Sequence, residues 1–264
     1  MIIGTWNLEV YLSRQSARGM AMAHELDRHP VDVWFLTELH SDWKLANQDI
    51  CFAPSRNEAL ETRRFAGIST SWGMAPLIGP DDPAEGWICL ARLTDPVTNQ
   101  TCLAASTVLP WRGITPHWRQ ILGREVTFPE AFRHVLNYVV QRIDDARRPG
   151  EDVIWGGDFN QALTGRNYVG TLQGRSDLST ALDRLGLQAA TANLPALGLT
   201  QPAIDHIAIP STWSVRGNPN VHRPTRNEKP LSDHALYLVD ASPTIDMRLT
   251  TKDRAPRRER LAGI

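Results

Sequence analysis

Apolar residues follow two patterns along this chain: short continuous runs typical of buried strands, and runs spaced by three or four residues typical of helices. The clearest continuous run spans residues 31–38 and ends in Thr and Glu, which predicts a buried strand with a polar exit. Further strands are predicted at residues 2–10, 50–53, 64–70, 74–78, 87–93, 101–109, 153–157, 204–209 and 234–239. Predicted strands therefore extend along most of the chain.

Helical spacing is clearest in residues 128–147, where apolar side chains recur at intervals of three and four. Thr127 and Glu130 have the spacing of a capping box, and Pro129 lies in the first turn, where a missing N–H costs little. Shorter helices are predicted at residues 17–29 and 178–185.

Strands and helices are mixed along all 264 residues, with no internal repeat, linker or change of composition before the C-terminal segment. Residues 248–264 differ, because they are rich in Arg and lack apolar periodicity. We therefore predict one domain over residues 1–247 and a basic, flexible tail over residues 248–264.

Composition narrows the class of protein. Apolar residues make up 42% and charged residues 22%, which are globular values, and the net charge of −1 argues against a histone-like nucleic-acid coat.

The three cysteines form no C-x-x-C motif, which predicts a reducing compartment without a disulfide framework. Without a signal-peptide pattern or an apolar run of about 20 residues, we expect a cytoplasmic protein that does not span a membrane. The sequence indicates no obligate protein partner.

Short polar motifs lie at the ends of several predicted strands. They are T-W-N at residues 5–7, L-T-E at 36–38, G-G-D-F-N at 156–160, I-D-H at 204–206 and S-D-H at 232–234. Each motif by itself could be a turn, a cap or a solvated strand end. Polar groups at strand ends of a layered α/β protein commonly converge on one crevice, which makes the set a candidate site.

Together and in this order, the motifs resemble those of the endonuclease/exonuclease/phosphatase superfamily, over residues 2 to about 239. The resemblance implies an α/β (α+β) fold, a four-layer α-β-β-α sandwich of two mixed β-sheets flanked by helices. It also implies that residues 1–247 form a catalytic domain for divalent-metal-dependent hydrolysis of a phosphoric ester.

The resemblance further implies roles for individual residues. The metal-binding group would be Glu38, Asn7 and Asp233, and the catalytic group Asp158, Asn160, Asp205 and His234. Asp158 would align or deprotonate the attacking water, Asn160 would donate to the phosphate, and Asp205 would orient the catalytic His234. Sequence leaves open whether that histidine acts as a base or as a protonated phosphate clamp.

Physical chemistry agrees with these roles. Mg²⁺ or Mn²⁺ takes oxygen ligands, usually carboxylates and water. In an extended segment at residues 158–160, Asp158 and Asn160 would share one face while Phe159 points to the core. One carboxylate and one amide could then address the same phosphate.

The chain departs from the family at Val108, where many members carry His or Tyr, because valine can donate no hydrogen bond. Losing one such donor typically costs about 10²–10³ in rate. The next loop offers Trp111, Arg112 and His117 as replacements, with Arg112 favoured for its two parallel donors. The same loop could instead pack its tryptophans on the domain. Further substrate-binding candidates are Arg166 and Tyr168.

The leading hypothesis is a Mg²⁺- or Mn²⁺-dependent phosphodiesterase, most simply a nuclease acting on DNA or RNA. An alternative on the same scaffold is a phosphatase or phosphodiesterase of a small or lipid phosphate, which the near-neutral net charge keeps open. A third reading is a binding module that has lost catalysis, with Val108 as a first sign of decay.

Overall fold

A computed structural model describes residues 1–9, 11–55, 61–77, 85–114, 124–166, 168–196 and 201–244. In these ranges the helices are α1 (Ala17–Asp27), α2 (Phe128–Ala146) and α3 (Leu172–Leu185). The strands are β1 Ile2–Asn7, β2 Val33–His40, β3 Asp49–Phe52, β4 Arg63–Thr70, β5 Gly73–Pro76, β6 Ile88–Thr94, β7 Thr101–Val108, β8 Asp152–Asp158, β9 Leu187–Ala189, β10 Asp205–Pro210, β11 Trp213–Val215, β12 Asn220–His222, β13 Thr225–Arg226, β14 Lys229–Pro230 and β15 Leu236–Pro243.

Two large mixed sheets form the centre of the fold. The first has the order β11-β15-β1-β2-β4-β3, with β12 also paired to β15, and only its β1–β2 pair is parallel among the described strands. The second has the order β5-β6-β7-β8-β10-β9, and its one parallel pair in the described residues is β7–β8. Strands β13 and β14 form a separate hairpin.

The sheets pack face to face, and the helices cover their outer faces. Ile68 of the first sheet and Ile154 of the second lie in the central core between them. Met22 of α1 packs on the outside of the first sheet, while Phe132 of α2 and Leu182 of α3 pack on the outside of the second. The predicted four-layer α-β-β-α sandwich is confirmed.

Local sequence explains the helix starts. The capping box of α2 is confirmed: the Thr127 side chain accepts from the backbone of Glu130, whose side chain accepts from the backbone of Thr127. Helix α3 begins at Leu172, six residues before the predicted start at 178. Thr171 caps its first turn, in which Leu172 is followed by Gln, Gly and Arg. Apolar spacing alone could not detect that turn.

Strand boundaries differ from the predictions where the backbone turns. β1 ends at Asn7 and not at residue 10, since Glu9 and Tyr11 have positive φ angles of 54° and 53°. β15 begins at Leu236, so His234 lies just before the strand. The short strands β9, β11, β12, β13 and β14 were not predicted, because two or three residues are too few to show an alternation.

Trp34 and Trp155 are fully buried in the core. Among the described residues, no helix is long and apolar enough to cross a membrane. The basic segment 248–264 lies outside the described residues, so the predicted domain limits stay a prediction.

Candidate active site

The predicted polar residues converge where strand ends of both sheets meet. Asn7 ends β1, and Glu38 lies near the end of the parallel neighbour β2. Asp158 ends β8, and Asp205 begins the antiparallel β10 directly opposite it in register. His234 precedes β15, which runs antiparallel to β1. Strand directions therefore bring residues far apart in sequence to one end of the sandwich.

A cleft of about 490 Å³ opens at this end. The predicted residues that line it are Glu38, Trp111, Arg112, Asp158, Asn160, Tyr168, Asp205, Asp233 and His234. Asn7 lies beneath the cleft and is 1% exposed. Arg166 is not among the described lining residues, and His117 lies outside the described residues.

Asn7 joins the carboxylates of the two sheets. Its side-chain amide donates to Glu38 Oε1 at 3.2 Å and to Asp158 Oδ2 at 3.1 Å, while its Oδ1 accepts from the N–H of Glu9 at 2.8 Å. The amide therefore acts here as a donor that holds two acids together. Its role as a metal ligand stays a prediction.

Asp158 is almost completely buried, and both of its carboxylate oxygens accept a hydrogen bond. Besides the bond from Asn7, its Oδ1 accepts the backbone N–H of Asn160 at 2.8 Å. Burial, followed by the neighbouring Asp205 carboxylate, raises the pKa of Asp158 to about 7, although His234 acts in the opposite direction. A carboxyl group with a pKa near neutrality can both lose and accept a proton at physiological pH.

His234 and Asp205 form a hydrogen-bonded pair in the cleft. The Nδ1 atom of His234 lies 2.7 Å from Asp205 Oδ2, and its Nε2 lies 3.8 Å from Asp233 Oδ1. Burial by itself lowers the pKa of His234, but Asp205, Asp158 and Asp233 together raise it well above its usual range. The imidazole is therefore cationic at neutral pH, with Nδ1 directed to the buried carboxylate.

The donor set suits a hard divalent cation. Asp158, Asp205 and His234 offer ligand atoms that all lie within 4.8 Å of one another. The buried Oδ1 of Asp205 has no hydrogen-bond partner among the described residues, and such an atom costs about 1–3 kcal/mol or more unless something binds it. Carboxylate oxygens are the ligands that Mg²⁺ and Mn²⁺ prefer. The carboxylate oxygens present fit such an ion, whereas a cationic His234 would not be a ligand, and this cluster differs from the predicted group of Glu38, Asn7 and Asp233.

The prediction that residues 158–160 are extended is wrong. Asn160 has a φ of 47°, in the left-handed region, so the chain turns directly after β8. Its side-chain amide donates to the carbonyl of Leu109 at 2.9 Å. Asn160 still lines the same cleft as Asp158, and Phe159 is fully buried in the core as predicted.

Val108 pairs with Asp158 in the parallel register of β7 and β8. Its side chain is fully buried in the core shared with α2 and α3, and it is not among the described residues that line the cleft. The chain therefore has an apolar packing residue at this position.

The three described substrate-binding candidates of the cleft differ in their surroundings. Trp111 packs at 6.2 Å from the ring of Phe65 and at 6.3 Å from that of Trp87, in agreement with the packing alternative. Arg112 is exposed and donates through Nη2 to the carbonyl of Gly170 at 3.1 Å. Burial, followed by Asp205 and Asp158, raises the pKa of Tyr168, which places its hydroxyl near both acids.

The basic segment before the S-D-H motif lies beside the cleft. Arg226 and Lys229 border a neighbouring hollow that also includes Asp233. Arg223 donates to the carbonyl of Ala196 at 2.8 Å, and Ala196 lines the cleft. The segment thus lies at the rim of the cleft.

Tyr237 and Ser232 have site contacts that sequence reasoning did not assign. Tyr237 lines the cleft and donates to the carbonyl of Pro195 at 3.0 Å. Ala235 also lines the cleft but precedes β15, so strand alternation gave no sequence signal for Tyr237. Ser232 donates to the carbonyl of Asn7 at 2.7 Å and accepts the N–H of His234, which fixes this loop to β1.

No family model matches the chain, and no curated protein matches it. Solved structures, however, match it over most of its length. An endonuclease/exonuclease/phosphatase from Bacteroides vulgatus is 14% identical with a TM-score of 0.65, and the match covers 92% of this chain and 98% of that one. An AP endonuclease from Archaeoglobus fulgidus is 14% identical with a TM-score of 0.64, over 91% and 98% of the two chains.

A Bacteroides thetaiotaomicron protein described as a mannosyl-6-phosphatase is also similar, with 15% identity and a TM-score of 0.62 over 92% of this chain and 99% of that one. At these identities the likeness establishes the fold. The chain has the fold of the endonuclease/exonuclease/phosphatase proteins, which confirms at that level the resemblance indicated by its motifs.

Proposed function

We propose that this protein is a divalent-metal-dependent phosphoester hydrolase and, as the leading assignment, a nuclease. The observation that carries the proposal is the group of Asp158, Asp205 and His234 in one cleft, joined through Asn7 to Glu38. Hydrolysis of a phosphoester needs an activated water and neutralisation of the charge on phosphate oxygens. This group offers both in one place.

Asp158 is the proposed acceptor of the proton from the attacking water. Its pKa of about 7 makes the carboxylate a stronger base than an exposed aspartate, while enough remains ionised at neutral pH to act. The bonds from Asn7 and from the backbone of Asn160 hold its two oxygens in place.

His234 is the proposed phosphate clamp. Asp205 keeps the imidazole cationic and fixes its Nδ1, so Nε2–H faces the cleft as a charged donor. The raised pKa of His234 supports the clamp over the base, because a histidine that stays protonated at neutral pH cannot serve as the base. Asn160 and Arg112 would bind further phosphate oxygens.

Glu38 and Asp233 would hold the metal, together with Asp205 through its Oδ1, which has no hydrogen-bond partner among the described residues. When bound, such an ion neutralises negative charge on the phosphate and orients it for in-line attack. The protein residues set its position through the hydrogen bonds described above.

A small or sugar phosphate is the second candidate substrate. Much of the cleft wall is uncharged, with Tyr168, Val169, Ile204 and Tyr237 among its members, and Arg112 is the one arginine or lysine among the described lining residues. This composition suits a compact substrate better than a long polyanion. The similar structure described as a mannosyl-6-phosphatase is consistent with this candidate.

The direct test is a turnover assay on the full chain with supercoiled plasmid DNA, single-stranded RNA, bis-p-nitrophenyl phosphate and p-nitrophenyl phosphate. Each substrate is tested with Mg²⁺, with Mn²⁺ and with EDTA. We expect hydrolysis that EDTA abolishes, and relative kcat/KM values distinguish the nuclease from the small-phosphate hydrolase.

Two variants make the assay specific to the cleft. Asp158→Asn should remove turnover, while the matched Asp145→Asn change, on the exposed face of α2, should retain it. Metal-independent turnover, or turnover in folded Asp158→Asn equal to wild type, would contradict the proposal. Binding of nucleic acid without hydrolysis of any substrate would favour the binding-module hypothesis.

A further inference from the structure

Two of the three cysteines meet across the interface of the two sheets. Cys51 lies on β3, the edge strand of the first sheet, and Cys89 lies on β6 of the second. Their Sγ atoms are 3.4 Å apart and hydrogen-bonded. Both side chains belong to the central core, so this contact joins the two layers directly.

A bond between the two sulfurs requires only a small movement. Cα atoms of β3 and β6 come within 8 Å of each other, and bonding requires the sulfurs to approach by about 1.4 Å. In the described sheet, β3 pairs along one side only, with β4. An edge strand can make a shift of this size without breaking pairs on both sides.

The two thiols also differ in reactivity. The hydrogen bond from Cys89 lowers the pKa of the Cys51 thiol despite its burial, while the same bond and burial raise the pKa of Cys89. Both cysteines line a small cavity of about 60 Å³ that reaches Tyr138 and Arg142. This volume exceeds the roughly 30 Å³ share of one water in the liquid, so a molecule as small as hydrogen peroxide fits.

Cys102 provides an internal contrast. Burial, followed by the negative charges of Asp152, Glu151 and Asp95, raises its pKa to about 12. No hydrogen bond between Cys102 and either of the other cysteines occurs in the structure. Unlike Cys51 and Cys89, it therefore has no neighbouring thiol with which to form a disulfide.

We propose that Cys51 and Cys89 are a redox modification site, at which a peroxide oxidises the pair to a reversible disulfide across the two sheets. The Cys51 thiolate attacks one peroxide oxygen, the O–O bond breaks, and Cys51 becomes a sulfenic acid as hydroxide leaves. The Cys89 sulfur then attacks the Cys51 sulfur, forming the S–S bond and breaking the S–O bond. The Cys89 proton and the proton released from Cys51 leave with the oxygens, so two thiols are oxidised and hydrogen peroxide is reduced to two waters.

This proposal rests on the geometry of the pair and is independent of the catalytic assignment. It concerns one bond formed under oxidation, which differs from the permanent disulfide framework that the sequence argues against. A dithiol reductant should restore both thiols by exchange.

The test uses the full chain, fully reduced and then treated with hydrogen peroxide. Free thiols are counted after unfolding, and the linked peptides are identified by mass spectrometry without reduction. We expect the count to fall from three to one, with the Cys51 and Cys89 peptides joined and the Cys102 peptide free. A dithiol reductant should return the count to three.

Variants supply the control. Cys102→Ala should still lose two thiols and form the same linked peptides, whereas Cys51→Ala should form no intramolecular disulfide. The oxidised wild type should also melt about 5–10 °C above the reduced protein. The bond joins residues 38 positions apart and so lowers the conformational entropy of the unfolded chain. Three thiols that survive oxidation, a bond that involves Cys102, or oxidation of Cys51 only to sulfinic acid would each overturn the proposal. The wild-type thiol count does not depend on any variant folding.

Discussion

Two cavities at opposite ends of the sandwich have nearly the same volume and both contain several acidic residues, yet their chemistry differs. The cleft at one end measures about 490 Å³, and the cavity at the other end, lined by Asp32, Asp95 and Asp152, measures about 470 Å³. In the second cavity each acid has its own donor. Asp32 accepts the N–H of Ile2 at 2.7 Å, Asp95 that of Val97 at 2.8 Å, and Asp152 the indole N–H of Trp213 at 3.2 Å.

In the cleft, by contrast, the acids share their partners. Asn7 divides its amide between Glu38 and Asp158, and His234 lies between Asp205 and Asp233. Among the described residues one Asp205 oxygen has no donor, and burial, followed by the Asp205 carboxylate, raises the pKa of Asp158 to about 7. The number of acids therefore does not identify a site. Acids that lack hydrogen-bond donors and are shielded from water identify it.

The largest effect should come from breaking the cleft itself. Asp158→Asn and His234→Ala should each lower kcat by about 10³-fold or more, since each removes a group that acts on the reacting phosphate or water. Because the two residues act as a unit, the double variant should lose little more than either alone. Steady-state kinetics with folded variants, verified by circular dichroism, measure this. A double variant within a few-fold of wild type would refute the catalytic assignment.

A smaller effect is expected at Arg112, the exposed cation of the cleft. Arg112→Ala should lower kcat/KM by about 10²-fold, the loss of one charged donor in a chain that has the apolar Val108 at the family's donor position. Arg112→Lys should recover only part of that loss, because an ammonium lacks two parallel donors. Normal turnover of Arg112→Ala would exclude it as the replacement donor, and Tyr168→Phe would then be the next variant to test.

Metal affinity should change moderately when Glu38 loses its charge. Glu38→Gln should raise the concentration of Mg²⁺ needed for half-maximal activity by about tenfold or more, since a neutral amide is a weaker ligand for a hard cation. Excess Mn²⁺ should restore part of the activity. Isothermal titration of the metal in the absence of substrate gives an independent measurement. Unchanged affinity would remove Glu38 from the metal site.

The smallest effect on activity should come from the opposite cavity. Asp152→Ala removes the acceptor for the Trp213 indole and should lower the free energy of unfolding by about 1 kcal/mol. Turnover should stay within twofold of wild type, because the residue lies at the far end of β8 from Asp158. Urea unfolding and the plasmid assay measure the two quantities. A loss of turnover without a loss of stability would show that the two ends are coupled.

The convergence of the site was predictable from sequence, but its internal bonds were not. Polar residues at strand ends indicated one crevice, and nine of the predicted side chains do line it. The donor role of Asn7 and the turn at Asn160 depend on neighbours from other strands, such as Glu38 and Leu109. No local pattern encodes those neighbours.

The sequence by itself determined the capping box of α2 and the residue types of the site, because each depends on local spacing or on chemistry carried by a single side chain. The layered fold was implied by the resemblance of its motifs to a known superfamily. The tertiary structure decided which acids share donors, which one is desolvated and which cysteines meet. Asp158 and Asp205 are 47 positions apart, and their proximity follows from the antiparallel register of β8 and β10. Desolvation and hydrogen-bond sharing are properties of packed neighbours, so they exist only once the two sheets have come together.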